Sequence, residues 1–479
     1  MTSRTAADVL VIGAGPAGML AADRLAQGGA RVLLVDAGRV HTSRICPVDR
    51  GKSCHGCRGI CNVISGFGGS IHYGDGVKLS RFPSGRRLAE LLGAERADAL
   101  TDEVLERMCG VAWPTFRRAL AHSTALAVKD YPVASLNSDQ VRVVINRLHA
   151  RLARTERVTL RLGVEVTELQ PDDQAGFIAR LQAPGVDEQV AARYVVSAVG
   201  RRGQRWWATQ IRRLGLAHTA PTPSVGLRFE APLGLLRRGA LVHDDFKTTL
   251  VRHGVKVKTF CFCAGPGGGR IKFTDYGDHT LLDGHVIPEA GTSQLGNFAL
   301  LAQLRDEHGS PRSAEWVEEY LLRPYRSLRS DRPGKPVLQW YPDWRDKQLT
   351  CSSLEDFAQR AGHAPSLSDY QVANLAAILP NAVHTAMRAV FEELMPVFAG
   401  HPLEADQAER IAVIGLELES LWDELALSEH METSFPGLYA AGDCTGLAQG
   451  ILQAAVAGLA AADHVLATTT VPVPLGGST

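Results

Sequence analysis

The segment that most restricts how this chain can fold is "DVLVIGAGPAGMLAADRLAQGGARVLLVD", residues 8–36. "VLVI" is a short, wholly apolar run, as expected of a strand covered on both faces. Gly13, Gly15 and Gly18 follow in G-x-G-x-x-G spacing and open an alanine- and leucine-rich helix; "RVLLVD" then supplies a second covered strand ending on Asp36. A glycine triplet alone says little, but directly after a strand, at the head of a helix and with an acid closing the next strand, it is a dinucleotide fingerprint. Gly13 permits the tight turn, Gly15 lets the backbone approach a pyrophosphate, and Gly18 lets helix and strand pack closely. Pro16 and Ala17 lie in the first helical turn, where unpaired N–H groups and the positive end of the helix dipole face the phosphates. Asp36 is placed to accept from a ribose diol, which favours FAD or NAD over NADP. The competing structural reading is a βαβ unit with an accidental glycine turn.

A second strand end chooses between the two nucleotides. "GLYAAGD" reads as a strand ending on Gly442 and Asp443, and after a short loop a helix begins near Gly450 and Ile451. A carboxylate at that strand end suits a ribityl hydroxyl and therefore a flavin. The helix N-terminus that follows can face the flavin pyrimidine edge, where reduction builds negative charge. Between the two signals, residues 158–200 read as alternating strands with turns and then a buried strand, "VVSAVG", closing on Gly200; Val166 and Gly200 join the cofactor-binding candidates.

This order of motifs resembles the glutathione-reductase-like FAD fold: β-α-β, an insertion, a β-meander, a strand, a substrate domain, and a final Gly-Asp strand with its helix. The cysteine-rich segment "CPVDRGKSCHGCRGIC", the loop "GFGGSIHYGDGVKL" (66–79) and "TFCFCAGPGGGRI" (259–271) together are similar to a group of bacterial FAD-dependent dehydrogenases. The chain departs from that group at His72 and Tyr73, where a small residue and phenylalanine are more usual, and at "AAGDCTG". The resemblance implies FAD as cofactor, with Arg44, Gly68 and Gly69 added to its binding residues. The expected class is α/β, a Rossmann-like, three-layer FAD-binding domain with a β-meander (1–80, 137–210 and 405–479) carrying an inserted α+β substrate or cap domain (81–136 and 211–404). Residues 81–136 are expected to be largely helical.

Other readings are weakened by what is missing. No second strand–GxGxxG–helix is present for NAD(P)H; "AGPGGGR" (264–270) reads as a hairpin turn between two short strands. "AVGRRGQRWW" follows the meander where a single-domain aromatic hydroxylase carries Asp-Gly, and Cys444–Thr445 follow Asp443. Lysine plus arginine balance aspartate plus glutamate at 51 each, which gives no general attraction to nucleic acid or an anionic membrane. The start of the chain has no signal-peptide pattern. "ILQAAVAGLAAAD" (451–463) is short for a membrane span and fits a buried helix. These features lead us to expect a cytoplasmic protein with mostly reduced cysteines. From Thr468 the tail is expected to be loose.

Flavin dehydrogenation needs a substrate carbon stacked over the ring and a base for the proton. Candidates are His72 and Tyr73 in the loop expected to line the isoalloxazine, with Asp75 just after; His285; and Cys261 and Cys263, two apart on one strand face. For each, a satisfied packing role is the alternative, as it is for His384. The aromatics of "QWYPDW" (339–344) read either as a pocket wall or as a turn tucked against the core. Cys46, Cys54, Cys57 and Cys61 leave three readings open: an iron–sulfur cluster or zinc, reduced thiols in packing or catalysis, or disulfides. The expected activity is hydride transfer between a small organic substrate and FAD, with a separate electron acceptor or donor. The alternatives are a flavin monooxygenase and a non-catalytic flavin-binding scaffold.

Overall fold

A computed structural model describes residues 5–47, 52, 56–71, 76–120, 126–275, 280–287, 293–328, 335–421 and 423–470. β1 (Thr5–Ile12) leads through the glycine turn into α1 (Pro16–Gln27) and back to β2 (Val32–Asp36). Val9 and Val11 belong to one apolar cluster, Leu10 and Ile12 to another. The strand is therefore covered on both faces, which is why its run is unbroken rather than alternating. β3 (Val77–Ser80) pairs with β4 (Val133–Leu136), and between them lie α2 (Arg86–Leu92) and α3 (Ala94–Cys109). Beyond Cys109 the described chain is not helical up to β4, so the helical expectation for 81–136 holds for its first half only.

α4 (Ser138–Ala153) starts at Asn137, which exchanges reciprocal side-chain bonds with Gln140 in a capping box. β5 (Val158–Leu162), β6 (Glu165–Asp172), β7 (Gly176–Ala183) and β8 (Val186–Ser197) complete the sheet, ordered β5-β2-β1-β8-β7-β6. The short strand Leu438–Ala440 adds to β8 in parallel, bringing Gly442 and Asp443 beside the first glycine turn. α1 packs on the helix Ile451–Thr470, where a Cβ on Gly458 would collide with the Ala17 carbonyl. That helix is longer than the apolar run in the sequence and is apolar enough to cross a membrane; here it is mostly buried within the protein. It continues through Thr468, where a loose tail is expected; residues 471–479 lie outside those described.

The second sheet draws its seven strands from residues 224–419. β9 (His218–Thr219) stands apart; β10 (Ser224–Pro232), β11 (Thr249–Arg252), β12 (Val255–Cys263), β15 (Leu295–Gln303), β16 (Val337–Trp340), β17 (Gln371–Val372) and β18 (Ala412–Glu419) are ordered β11-β12-β15-β10-β18-β16-β17, with β13 (Gly269–Asp275) and β14 (Thr280–Val286) paired separately. β10 alternates strictly. Val225, Leu227, Phe229 and Ala231 face an aromatic core, where Phe229 meets Phe391 with centroids 4.6 Å apart. Arg228 and Glu230 occupy the opposite face and are also fully buried.

Two expectations change, and one open choice is decided. β18 pairs with β10, so residues 412–419 belong to the cap sheet and not to the dinucleotide domain, which resumes only near the strand at Leu438. Its apolar and acidic alternation reads equally well in either sheet, and long-range pairing decides. The turn at 264–268 closes tightly, with Gly265 and Gly268 exchanging backbone bonds, but it does not join two paired strands: β12 pairs with β11 and β15, and β13 with β14. The glycines let the chain cross between sheets, since a Cβ on Gly269 would strike the Cys263 carbonyl. Tyr341 and Trp344 are buried against Phe391 and Phe229, so "QWYPDW" packs the core.

Candidate functional site

The nucleotide cradle is assembled by Asp36. Its Oδ2 accepts from the Ala14 N–H at 2.8 Å, and its Oδ1 accepts from Gly38 at 2.7 Å and Gly66 at 2.9 Å. One carboxylate thus joins three loops, a role the ribose expectation did not foresee. Gly13 has φ +106°, and a Cβ there would overlap the Ala198 carbonyl; a Cβ on Gly18 would overlap the Gly13 carbonyl. Gly68 donates to Ala14 O at 2.9 Å, and Gly69 packs directly against Gly15. No side chain caps the first turn of α1 at Gly15, Pro16 and Ala17. Open N–H groups behind a Cβ-free approach fit a pyrophosphate.

Arg44 holds that cradle from beneath. Its guanidinium is buried and donates to the carbonyls of Asn62 (3.0 Å), Val63 (2.9 Å), Phe67 (2.8 Å), Ile71 (3.3 Å) and Gly69. Burial pulls its pKa down to about 10, against the opposing influence of Asp36 and Cys61. All of these bonds go to protein carbonyls, which makes Arg44 the organiser of the glycine loop rather than a group directed at the cofactor. Val166 is buried in β6 beside Leu181, and Gly200 has φ +58° with open space where a Cβ would stand.

At the second strand end, Gly442 has φ +83° and packs against Ala17. Asp443 Oδ2 accepts from Arg201 Nε at 2.8 Å, a partner the sequence reading missed. The Thr445 hydroxyl donates to Gly442 O at 2.7 Å and accepts from Leu447 and Ala448 N–H, fixing the turn into the C-terminal helix. Gly450, at φ +109°, precedes Ile451 at the helix start, and Gln453 anchors that start to the Ser80 and Ser84 carbonyls at 2.8 and 2.9 Å. From Asp443 a cavity of about 380 Å³ opens toward the polar face of the cap sheet. Arg201, Ser224, Lys258, Gln303 and Glu419 are among its lining residues, and Lys258 is ion-paired to Glu419. That volume lies in the usual range for a small-molecule site.

The cap's buried polar cluster adjoins it. Arg228 bonds the Glu417 carboxylate, Asn297 Oδ1 at 2.7 Å and the Cys261 carbonyl at 3.3 Å. Burial raises the Glu417 pKa to about 7, with Arg228 opposing. Lys78, on the strand after the glycine loop, donates to Asp245 Oδ1 and the Phe262 carbonyl, each at 2.7 Å, and ties cradle to cap. Neither Lys78 nor Arg228 is among the sequence candidates; a lone basic residue inside an otherwise apolar strand is the signal that could have found them. Cys261 and Cys263 sit at an irregularity in the β12–β15 pairing, with sulfurs 3.6 Å apart. His285 is nearly buried on β14, Nε2 3.8 Å from Asp283. His384 bonds the Trp344 carbonyl at 2.8 Å inside the core.

His72, Tyr73, Asp75 and Cys54 lie outside the described residues. Cys46, Cys57 and Cys61 are buried and in no disulfide, and Cys46 and Cys61 pack with Val63, Ile271, Leu338 and Phe357. Among the described residues no group of three or more His, Cys, Asp or Glu is arranged to hold a metal. Cys46 and Cys61 thus join the loop to the cap through apolar contacts.

A family model for pyridine nucleotide-disulphide oxidoreductases matches residues 7–57, the cradle's first half. No curated protein matches the chain. The fold is Rossmann-like. Among solved structures, the chain is similar to an aklavinone-11 hydroxylase in ternary complex with FAD and aklavinone, at 15% identity and TM-score 0.40 over 98% of this chain and 63% of that one. It is also similar to a geranylgeranyl bacteriochlorophyll reductase-like protein from Thermoplasma acidophilum (13% identity, TM-score 0.42, 98% and 79% covered). A third is the open conformation of a flavocytochrome c3 fumarate reductase (13%, 0.45, 98% and 80%). The chain thus spans less than two thirds of the length of the hydroxylase.

Proposed function

We propose that this chain is an FAD-dependent oxidoreductase that transfers a hydride between FAD and a small polar organic substrate, exchanging electrons with a separate acceptor or donor. The observation that carries this reading is the meeting of two glycine-lined strand ends, one organised by Asp36 and one carrying Asp443, on the uncapped start of α1 beside a polar cavity. FAD, when bound, supplies the ring that accepts or returns the hydride. The first-turn N–H groups of α1 would hold the pyrophosphate. Asp36 fixes the loops at Ala14, Gly38 and Gly66, which would hold the adenosine ribose. Arg201 holds Asp443 by one oxygen and leaves the other for a ribityl hydroxyl. The Lys258–Glu419 pair and the residues Ser224 and Gln303, which line the cavity, would orient a polar substrate there.

The test is anaerobic: reconstitute the purified chain with FAD, then screen a panel of small polar metabolites for bleaching of the flavin absorbance. Bleaching by one compound class without added NAD(P)H is the expected result. Failure to retain FAD overturns the cofactor assignment. Reduction only by NAD(P)H, followed by an oxygenated product in air, overturns the dehydrogenase reading in favour of a monooxygenase.

A further inference from the structure

Cys261 and Cys263 occupy an unusual place in the cap sheet. Residues two apart on a regular strand share a face, but their Cα atoms stand near the limit a disulfide can bridge. Here the strand is not regular. The β12–β15 pairing shifts between Phe260 and Cys263, and Cys261 takes φ +46°. Left-handed backbone is costly for a residue with a Cβ. The result is two sulfurs 3.6 Å apart, in van der Waals contact, with no disulfide between them. Cys263 is fully buried and its sulfur lies 3.2 Å from the Cys261 carbonyl; Cys261 is half-buried and its sulfur lies 3.2 Å from the Gly284 carbonyl.

The charged groups around the pair come from four strands and the turn that carries Asp245. Lys78 approaches from β3, paired with Asp245, and Arg228 from β10, paired with Glu417 of β18; Asp283 lies on β14. The balance lowers the pKa of one thiol relative to the other. The bond from Cys263, then Lys78 and Arg228, lower the Cys261 pKa against burial and Asp283. Burial and the neighbouring Cys261 raise that of Cys263. One lower-pKa sulfur on a half-buried residue beside one higher-pKa sulfur on a fully buried residue is the division of labour of an attacking and a resolving cysteine.

We propose that Cys261 and Cys263 form a redox-active dithiol that exchanges two electrons with low-molecular-weight thiols and disulfides. The Cys261 thiolate attacks one sulfur of a disulfide RS–SR; a Cys261–SR bond forms, and RS⁻ leaves and takes a proton from water. The Cys263 thiol then releases its proton and attacks Cys261 Sγ. The Cys261–Cys263 bond forms, the second RS⁻ leaves, and it is protonated in turn. Two protein thiols are oxidised and one RS–SR is reduced to two RSH; excess thiol runs the sequence backward. The short ring and the left-handed residue favour a readily reduced disulfide. The inference rests on the sulfur geometry and the charges around it, and stands apart from the flavin assignment.

The experiment equilibrates the full-length, FAD-reconstituted protein in a series of reduced and oxidised glutathione mixtures. Samples are quenched in acid and alkylated in denaturant, and the peptide spanning 259–270 is read by mass spectrometry while flavin content is recorded separately. The expected result is a reversible, glutathione-dependent loss of both alkyl groups from that peptide, absent in Cys261→Ser and Cys263→Ser. Brief native alkylation at neutral pH should label Cys261 first, and Lys78→Met should slow that labelling about tenfold, with recovery at alkaline pH. The proposal is overturned if both thiols of the wild-type protein stay alkylatable across the whole series. It is overturned equally if either cysteine pairs only with a different one. Loss of flavin without change in the thiol titration counts against the proposed function and not against the dithiol.

Discussion

Arg44 and Glu230 illustrate how much a single buried charge determines in this protein. Arg44 donates to five carbonyls from within the protein interior. Arg44→Met should therefore destabilise the protein by about 3 kcal/mol or more, and Arg44→Lys should rescue little, because an ammonium has only three donors. Urea denaturation of both variants, together with the FAD dissociation rate, measures this; a stability equal to wild type for Arg44→Met would show that the glycine loop holds itself. Glu230 is fully buried and accepts from the Ser366 N–H at 2.9 Å. Burial raises its pKa from the ordinary 4.5 to about 7, with Ser366 and Arg228 opposing. The sign follows from linkage: the folded protein holds the proton longer than the unfolded chain, so this contribution is complete below about 4.5 and is lost as pH rises through about 7. Glu230→Gln keeps the shape and removes the titration. Its stability relative to wild type should improve by roughly 1–3 kcal/mol between pH 5 and pH 8, read from urea midpoints across that range. Parallel pH profiles would mean that Glu230 is ionised throughout.

The elements meet through glycines at two crossings. Gly18 lets α1 lie on the first turn, and Gly458 lets the C-terminal helix lie on α1 at Ala17. Because Ala17 also belongs to the uncapped turn, the second crossing positions the phosphate-facing end of α1. Gly458→Ala sets a methyl group on the Ala17 carbonyl and should push the helices apart. That costs about 1–3 kcal/mol and lowers FAD affinity, although residue 458 is not among the cofactor-binding candidates. The measurements are thermal denaturation of the apoprotein and FAD titration by flavin fluorescence. Unchanged affinity in a destabilised variant would uncouple that helix from the cradle.

At the scale of the molecule, the two sheets are threaded by the same chain several times. Lys78 joins β3 to Asp245 and Phe262 of the cap, Cys46 and Cys61 pack into the cap's smaller core, and β18 enters the cap sheet between two segments of the other domain. Such interleaving couples the cores, so we expect a single cooperative unfolding transition. Far-UV dichroism, tryptophan emission and flavin release should share one midpoint in urea. Separate midpoints for Trp344, in the cap core, and for flavin release would show that the cap unfolds alone.

The cradle was legible because its physics is local. A strand, a turn needing φ > 0, a helix start and an acid at the next strand end all fall within residues 8–36, and each leaves a residue type that few other contexts demand. The same holds for Gly442 and Asp443. Tertiary pairing decided what local pattern left open. Residues 412–419 joined the cap because β10 offered a partner edge, and 264–268 became a crossover because β13 found β14 instead of β12. Arg201, Lys78 and Arg228 acquired roles only when distant strands brought them Asp443, Asp245 and Glu417. A charge on a strand does not announce its partner, since the free energy of a buried ion pair depends on a neighbour that sequence distance does not predict.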